Sequence, residues 1–118
     1  MTSSTQQPAR LLRVATYNVH GCVGGDGKHD VKRIARVLRE LGADVIALQE
    51  LACPGEVEGP IDLLAELTGM HALWTPLWYR DGTHFGNAVL TSLPVRAQRT
   101  LDLTFENNEP REMQRCNI

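Results

Sequence analysis

Between Leu11 and Asn18 apolar side chains occupy both parities, Leu12, Val14 and Thr16 on one face of an extended strand and Leu11, Ala15 and Tyr17 on the other. This pattern predicts a strand covered on both sides. A loop over residues 21–28 follows, containing Gly21, Gly24, Gly25 and Gly27. The period then lengthens. Val31, Ile34, Ala35, Leu38 and Leu41 recur at helical spacing, with Lys32, Arg33, Arg36, Arg39 and Glu40 on the opposite side. Asp30 suits the N-cap of that helix and Gly42 its C-terminal stop. Val45-Ile46-Ala47-Leu48 is then uninterruptedly apolar, as a central parallel strand requires. Strand, helix and strand make a right-handed βαβ unit, with Asn18 and Glu50 closing neighbouring strands on one edge of the sheet.

Beyond Glu50 the signals are shorter. Residues 61–68 read as a second helix, stopped by Gly69, and residues 71–79 as a strand interrupted or edged by Pro76. Asp81-Gly82 marks a turn into a returning strand over residues 87–91, and Pro94 separates that strand from another over residues 95–103. The polar segment 106–118 matches no element. The predicted class is α/β with a mixed sheet: one βαβ unit followed by an antiparallel meander.

The 118 residues suit one domain, and 42% hydrophobic with 22% charged residues is the balance of a packed globular chain. Residues 1–10 are polar, lack the apolar core of a signal peptide and read as a disordered tail, which leaves residues 11–118 as the folded part. No apolar run approaches the roughly 20 residues of a membrane span. The net charge of −2 shows no general attraction to polyanions, although a phosphate held through a metal ion needs no basic surface. Cys22, Cys53 and Cys116 match neither a zinc pattern nor a disulfide framework, so a reducing cytoplasm is expected and a thiol-redox enzyme is not.

Glu50 is the leading chemical candidate. Placed directly after a buried strand, its carboxylate needs a compensating charge, and a hard cation such as Mg²⁺ supplies one with few protein ligands. The plain alternative is a residue opening a solvated loop. Asn18 can donate to a phosphate oxygen or ligate a metal, or can simply end its strand in an Asx turn. His20, two residues on, is a candidate substrate contact. The four histidines lack the spacing of a helical zinc site, and the glycine-rich loop carries neither the P-loop nor the dinucleotide fingerprint. No nucleophile elbow is present. Gly86 suits a close backbone approach and Asn87 a brace for a neighbouring loop. Trp74, Trp78 and Tyr79 could stack a base or form core, and Arg111 could bind phosphate or cover the surface.

Three segments in order, Ala15-Thr16-Tyr17-Asn18-Val19-His20-Gly21, Ala43-Asp44-Val45-Ile46-Ala47-Leu48-Gln49-Glu50 and Gly86-Asn87-Ala88-Val89-Leu90-Thr91-Ser92-Leu93-Pro94, resemble the endonuclease/exonuclease/phosphatase superfamily, the family of DNase I and the exonuclease-III-like repair enzymes. The resemblance runs from about Leu11 to Arg111. It implies part of a four-layer α/β sandwich and cleavage of phosphate esters with Mg²⁺, or with Mn²⁺ in its place. It also implies Glu50 as metal ligand, Asn18 at metal and phosphate, Asn87 as a structural asparagine and Arg111 as a phosphate contact. The residues after Arg111 depart from the family pattern, and the family's Asp-x-Asn segment and its Asp-His pair have no counterpart here. These 118 residues are therefore expected to hold the metal end of a site without its base end and to be poorly active or inactive alone. An exposed sheet face is expected to drive self-association. The resemblance leaves nucleic acid, nucleotide, inositol phosphate and phospholipid headgroup all open as substrates. The competing class is a non-catalytic metal- or phosphate-binding module.

Overall fold

β2 (Val45–Pro54) runs through the interior of a four-stranded mixed sheet, and every feature of the site is arranged about it. The computed structural model describes residues 11–54, 59–102 and 112–117. In chain order the elements are β1 (Val14–Asn18), a 3₁₀ turn (His20–Cys22), α1 (Val31–Leu41), β2, α2 (Gly59–Thr68), β3 (His71–Arg80), β4 (Thr83–Thr91), β5 (Ala97–Asp102) and β6 (Glu112–Asn117). The main sheet has the order β1-β2-β4-β3, and β5 pairs with β6 as a separate antiparallel ribbon. β6 lies in the polar segment that the hydrophobic pattern assigned to no element. Its regular pairing with β5 comes from backbone hydrogen bonds, which leave no hydrophobic signature.

The βαβ unit forms as expected. β1 and β2 are parallel neighbours, in register from Val14 opposite Val45 to Asn18 opposite Gln49. Between them α1 starts at Asp30, whose carboxylate accepts from the Arg33 backbone N–H at 3.1 Å, and ends at Gly42 in the left-handed conformation. The glycine-rich loop is tied back to this helix by Arg33, which donates to Asp26 at 2.9 Å and holds that carboxyl below its ordinary pKa. α1 and α2 share one face of the sheet, where Ile34, Ala35, Leu38, Ile61 and Leu64 pack on Ile46, Leu48, Ala88 and Leu90. No described helix is long and apolar enough to cross a membrane.

The opposite face differs from expectation. β1 was expected to be covered on both sides, yet Val14 is 66% exposed and Leu12 60% exposed. Both described helices lie on the other face, so nothing in the described residues covers this end of the strand. Val45, Ala47 and Val89, further in, are half-buried.

The antiparallel part turns on two residues, Asp81 (φ 51°) and Gly82 (φ 77°), between paired Arg80 and Thr83. Positive φ at both central positions is the hairpin geometry that matches strand twist. β3 is an edge strand, which is where Pro76 is tolerated. At Pro76 the strand bulges: Pro76 pairs with Gly86 and Trp78 with Phe85, leaving Leu77 as the extra residue. A Cβ on Gly86 would collide with the Thr75 carbonyl oxygen and lie 2.9 Å from Pro76 Cα. Backbone cannot yield as a side chain can, so Gly86→Ala is expected to destabilise the fold by roughly 2–3 kcal/mol in a urea titration. A change within error would show that β3 is free to move away.

Candidate functional site

Strict alternation along β2 would send Ile46, Leu48 and the residue two further on into the helix-covered core. Leu48 pairs with Ala88 and Leu51 with Gly86, so Gln49 and Glu50 together stand opposite the single residue Asn87. This bulge carries Glu50 in the left-handed region at φ 54° and takes it out of the core-facing row. Glu50 is therefore inside a strand, where the hydrophobic pattern had it following one. Its side chain is 58% exposed, so burial places no penalty on the carboxylate, and the desolvation argument for a compensating cation does not apply. Its candidacy rests instead on position and on the backbone strain that holds it there.

Asn18 reaches the same end of the sheet from β1. Its Oδ1 accepts the His20 backbone N–H at 3.0 Å, an Asx turn that ends the strand. The turn engages one lone pair of Oδ1 and none of the amide hydrogens, so the strand-ending turn is present and does not use up the groups that a phosphate or metal contact would need. His20 connects the two candidates: its N–H goes to Asn18, and its Nδ1 lies 3.3 Å from Glu50 Oε2. His20, Gly21 and Cys22 are consecutive left-handed residues at φ 48°, 66° and 63°, a tight knot that carries the chain from β1 across the end of β2.

Gln49, part of the second family-like segment, fastens this edge. Its Nε2 donates to Thr16 Oγ1 at 2.9 Å, and its carbonyl accepts from the Val19 N–H at 3.0 Å. The available signal was its register opposite Asn18, legible only once the strands are paired.

Asn18, His20, Gln49, Glu50 and Asn87 line one cavity of about 850 Å³, which continues along the β3–β4 hairpin. Among its described lining residues the ionisable side chains are Glu50, His20 and His29, and none is Lys or Arg. Arg111 lies outside the described residues. Among the described residues no three His, Cys, Asp or Glu side chains converge on a metal position. One carboxylate and an amide oxygen suit a hard, mostly hydrated cation and do not suit the thiolate or imidazole cage that zinc or copper takes. Cys22, Cys53 and Cys116 form no disulfide with one another, and burial pushes the Cys22 thiol up to about 11, the reverse of what a thiolate nucleophile needs.

Solved structures similar to this chain include the following two. An endonuclease/exonuclease/phosphatase from Beutenbergia cavernae DSM 12333 is 28% identical with a TM-score of 0.65, over 79% of this chain and 29% of its own. A family protein from Leptotrichia buccalis C-1013-b is 20% identical with a TM-score of 0.73, over 90% of this chain and 49% of its own. The chain thus spans less than half the length of either. No curated protein matches it significantly. The model of the Endonuclease/Exonuclease/phosphatase family matches residues 15–117, a span that includes both strand ends, the bulge and the hairpin. The chain belongs to the endonuclease/exonuclease/phosphatase family.

Proposed function

We propose that this chain supplies the metal-and-phosphate wall of a Mg²⁺-dependent phosphoesterase site, with Mn²⁺ as a substitute. Glu50 is the metal ligand, Asn18 contacts both metal and phosphate, and His20 borders the substrate. The observation that supports this most directly is the bulge that turns Glu50 away from the core toward the strand end bearing Asn18. A bound Mg²⁺ supplies neutralisation of charge on the phosphoryl and leaving oxygens. The residues of the chain do the placing. The Asn18 amide hydrogens are available to a phosphate oxygen, and His20 steadies the Glu50 carboxylate through Nδ1.

The reading includes low activity for the 118 residues alone. With Glu50 assigned to the metal and His20 to Glu50, His29 is the one ionisable side chain left among the described lining residues to accept a proton from water. Three widely spaced cysteines that fit no disulfide framework support a reducing, cytoplasmic setting. The bare end of the sheet at Leu12 and Val14, continuous with Val45, Ala47 and Val89, supports association of two copies sheet to sheet.

Calorimetry is expected to show Mg²⁺ binding that Glu50→Ala weakens by about ten-fold or more. Hydrolysis of bis(p-nitrophenyl) phosphate should stay near background. Binding unchanged in the variant removes Glu50 from the site, and robust turnover abolished by the same substitution overturns the claim of low activity. A second comparison isolates the backbone. Glu50→Gly and Glu50→Ala both delete the carboxylate, but only glycine relieves the positive φ, so the Gly variant should be the more stable by about 1 kcal/mol. The order is normally the reverse within a strand, and an Ala variant that is the more stable would show that Glu50 is unstrained. Light scattering across a concentration series should show the dimer, and a monomer throughout would rule it out.

A further inference from the structure

The metal and phosphate chemistry uses one end of the cavity and leaves its long wall without a role. That wall is the β3–β4 hairpin, where Trp78 and Phe85 are cross-strand partners with ring centroids 4.5 Å apart and planes inclined by 15°. Trp74, earlier on the same strand, packs against the hydrophobic core, so alternation alone would send Trp78 inward as well. The bulge at Leu77 reverses the phase and puts Trp78 beside Phe85, on the side of the sheet that carries Asn87. Two bulges on either side of β4 therefore bring a carboxylate and a stacked aromatic pair into one cavity. Pro54 and Val23 extend the apolar lining.

The composition of the cavity narrows what could fill it. A ligand with several phosphates, or an extended phosphate backbone, needs cationic side chains, and no described lining residue is Lys or Arg. Recognition of one phosphate at the Glu50 end leaves the rest of the ligand to a flat, apolar, half-buried surface. Planar heterocycles suit such a surface because every base presents a π-face.

We propose that Trp78, backed by Phe85, is a stacking platform for the nucleobase of a nucleoside monophosphate ester, which sets this substrate class above inositol phosphates and phospholipid headgroups. The assignment rests on the phosphate end lying at Asn18 and Glu50, but the platform can be tested separately. The chain has two tryptophans, so in a Trp74→Phe background all tryptophan emission comes from Trp78. With Mg²⁺ present, adenosine and adenosine monophosphate should quench that emission, while ribose phosphate and inositol monophosphate should not. By calorimetry on the unsubstituted chain, adenosine monophosphate should bind about ten-fold more tightly than ribose phosphate. Trp78→Leu should bring the two to parity without weakening ribose phosphate, and Phe85→Leu serves if the first variant misfolds by circular dichroism. Equal affinity of the two phosphates for the unsubstituted chain, or no quenching by either adenine compound, overturns the platform. Quenching by adenosine with no binding of ribose phosphate would uphold the platform and defeat the metal–phosphate reading. The converse would defeat the platform alone.

Discussion

Two β-bulges flanking one glycine are the constraint on which the site depends. β4 passes Gly86 between β2, which bulges at Gln49-Glu50, and β3, which bulges at Leu77. At Gly86 the β3 backbone comes close enough to exclude any side chain. Without the first bulge Glu50 would enter the helix-packed core, where an unpaired carboxylate is intolerable. Without the second, Trp78 would follow Trp74 inward. The same core residues, Ile46, Leu48, Ala88 and Leu90, hold the regular halves of the strands in place, so the irregular halves are free to present chemistry.

The edge beside these bulges is held by backbone geometry more than by charge. Glu50, His20, Gly21 and Cys22 all take positive φ within one small region, and three of them are not glycine. Such conformations cost on the order of 1–3 kcal/mol each and persist only where neighbours enforce them. Here the enforcing contacts are visible: Val19 N–H to the Gln49 carbonyl, Gln49 to Thr16, and His20 N–H to Asn18. The His20–Glu50 pair is well exposed on both sides, so it orients the carboxylate without adding much stability.

Much of this was legible in the sequence. The helical period from Val31 to Leu41, the Asp30 cap and the apolar run at Val45 depend on local spacing, and the structure follows them. The neighbouring strand ends of Asn18 and Glu50 follow from the βαβ topology, and Gly86 was already marked for a close approach. What could not be read was phase. A bulge adds one residue to a count and leaves no compositional mark, so Glu50 read as directly following its strand and Trp78 could not be told from Trp74. Likewise β6 contributes backbone pairing to β5 from a polar segment in which no hydrophobic period exists to detect.

The two-residue turn at Asp81-Gly82 has no slack. Side chains alternate along a strand, so adding or removing one residue there would not reshape the cavity wall gradually. It would exchange the row that contains Phe85 for the row that contains His84, whose ring leans on Tyr79. Ligand preference at this wall is thus quantised: the hairpin offers one face or the other, and a change of preference by this route must come in a single step.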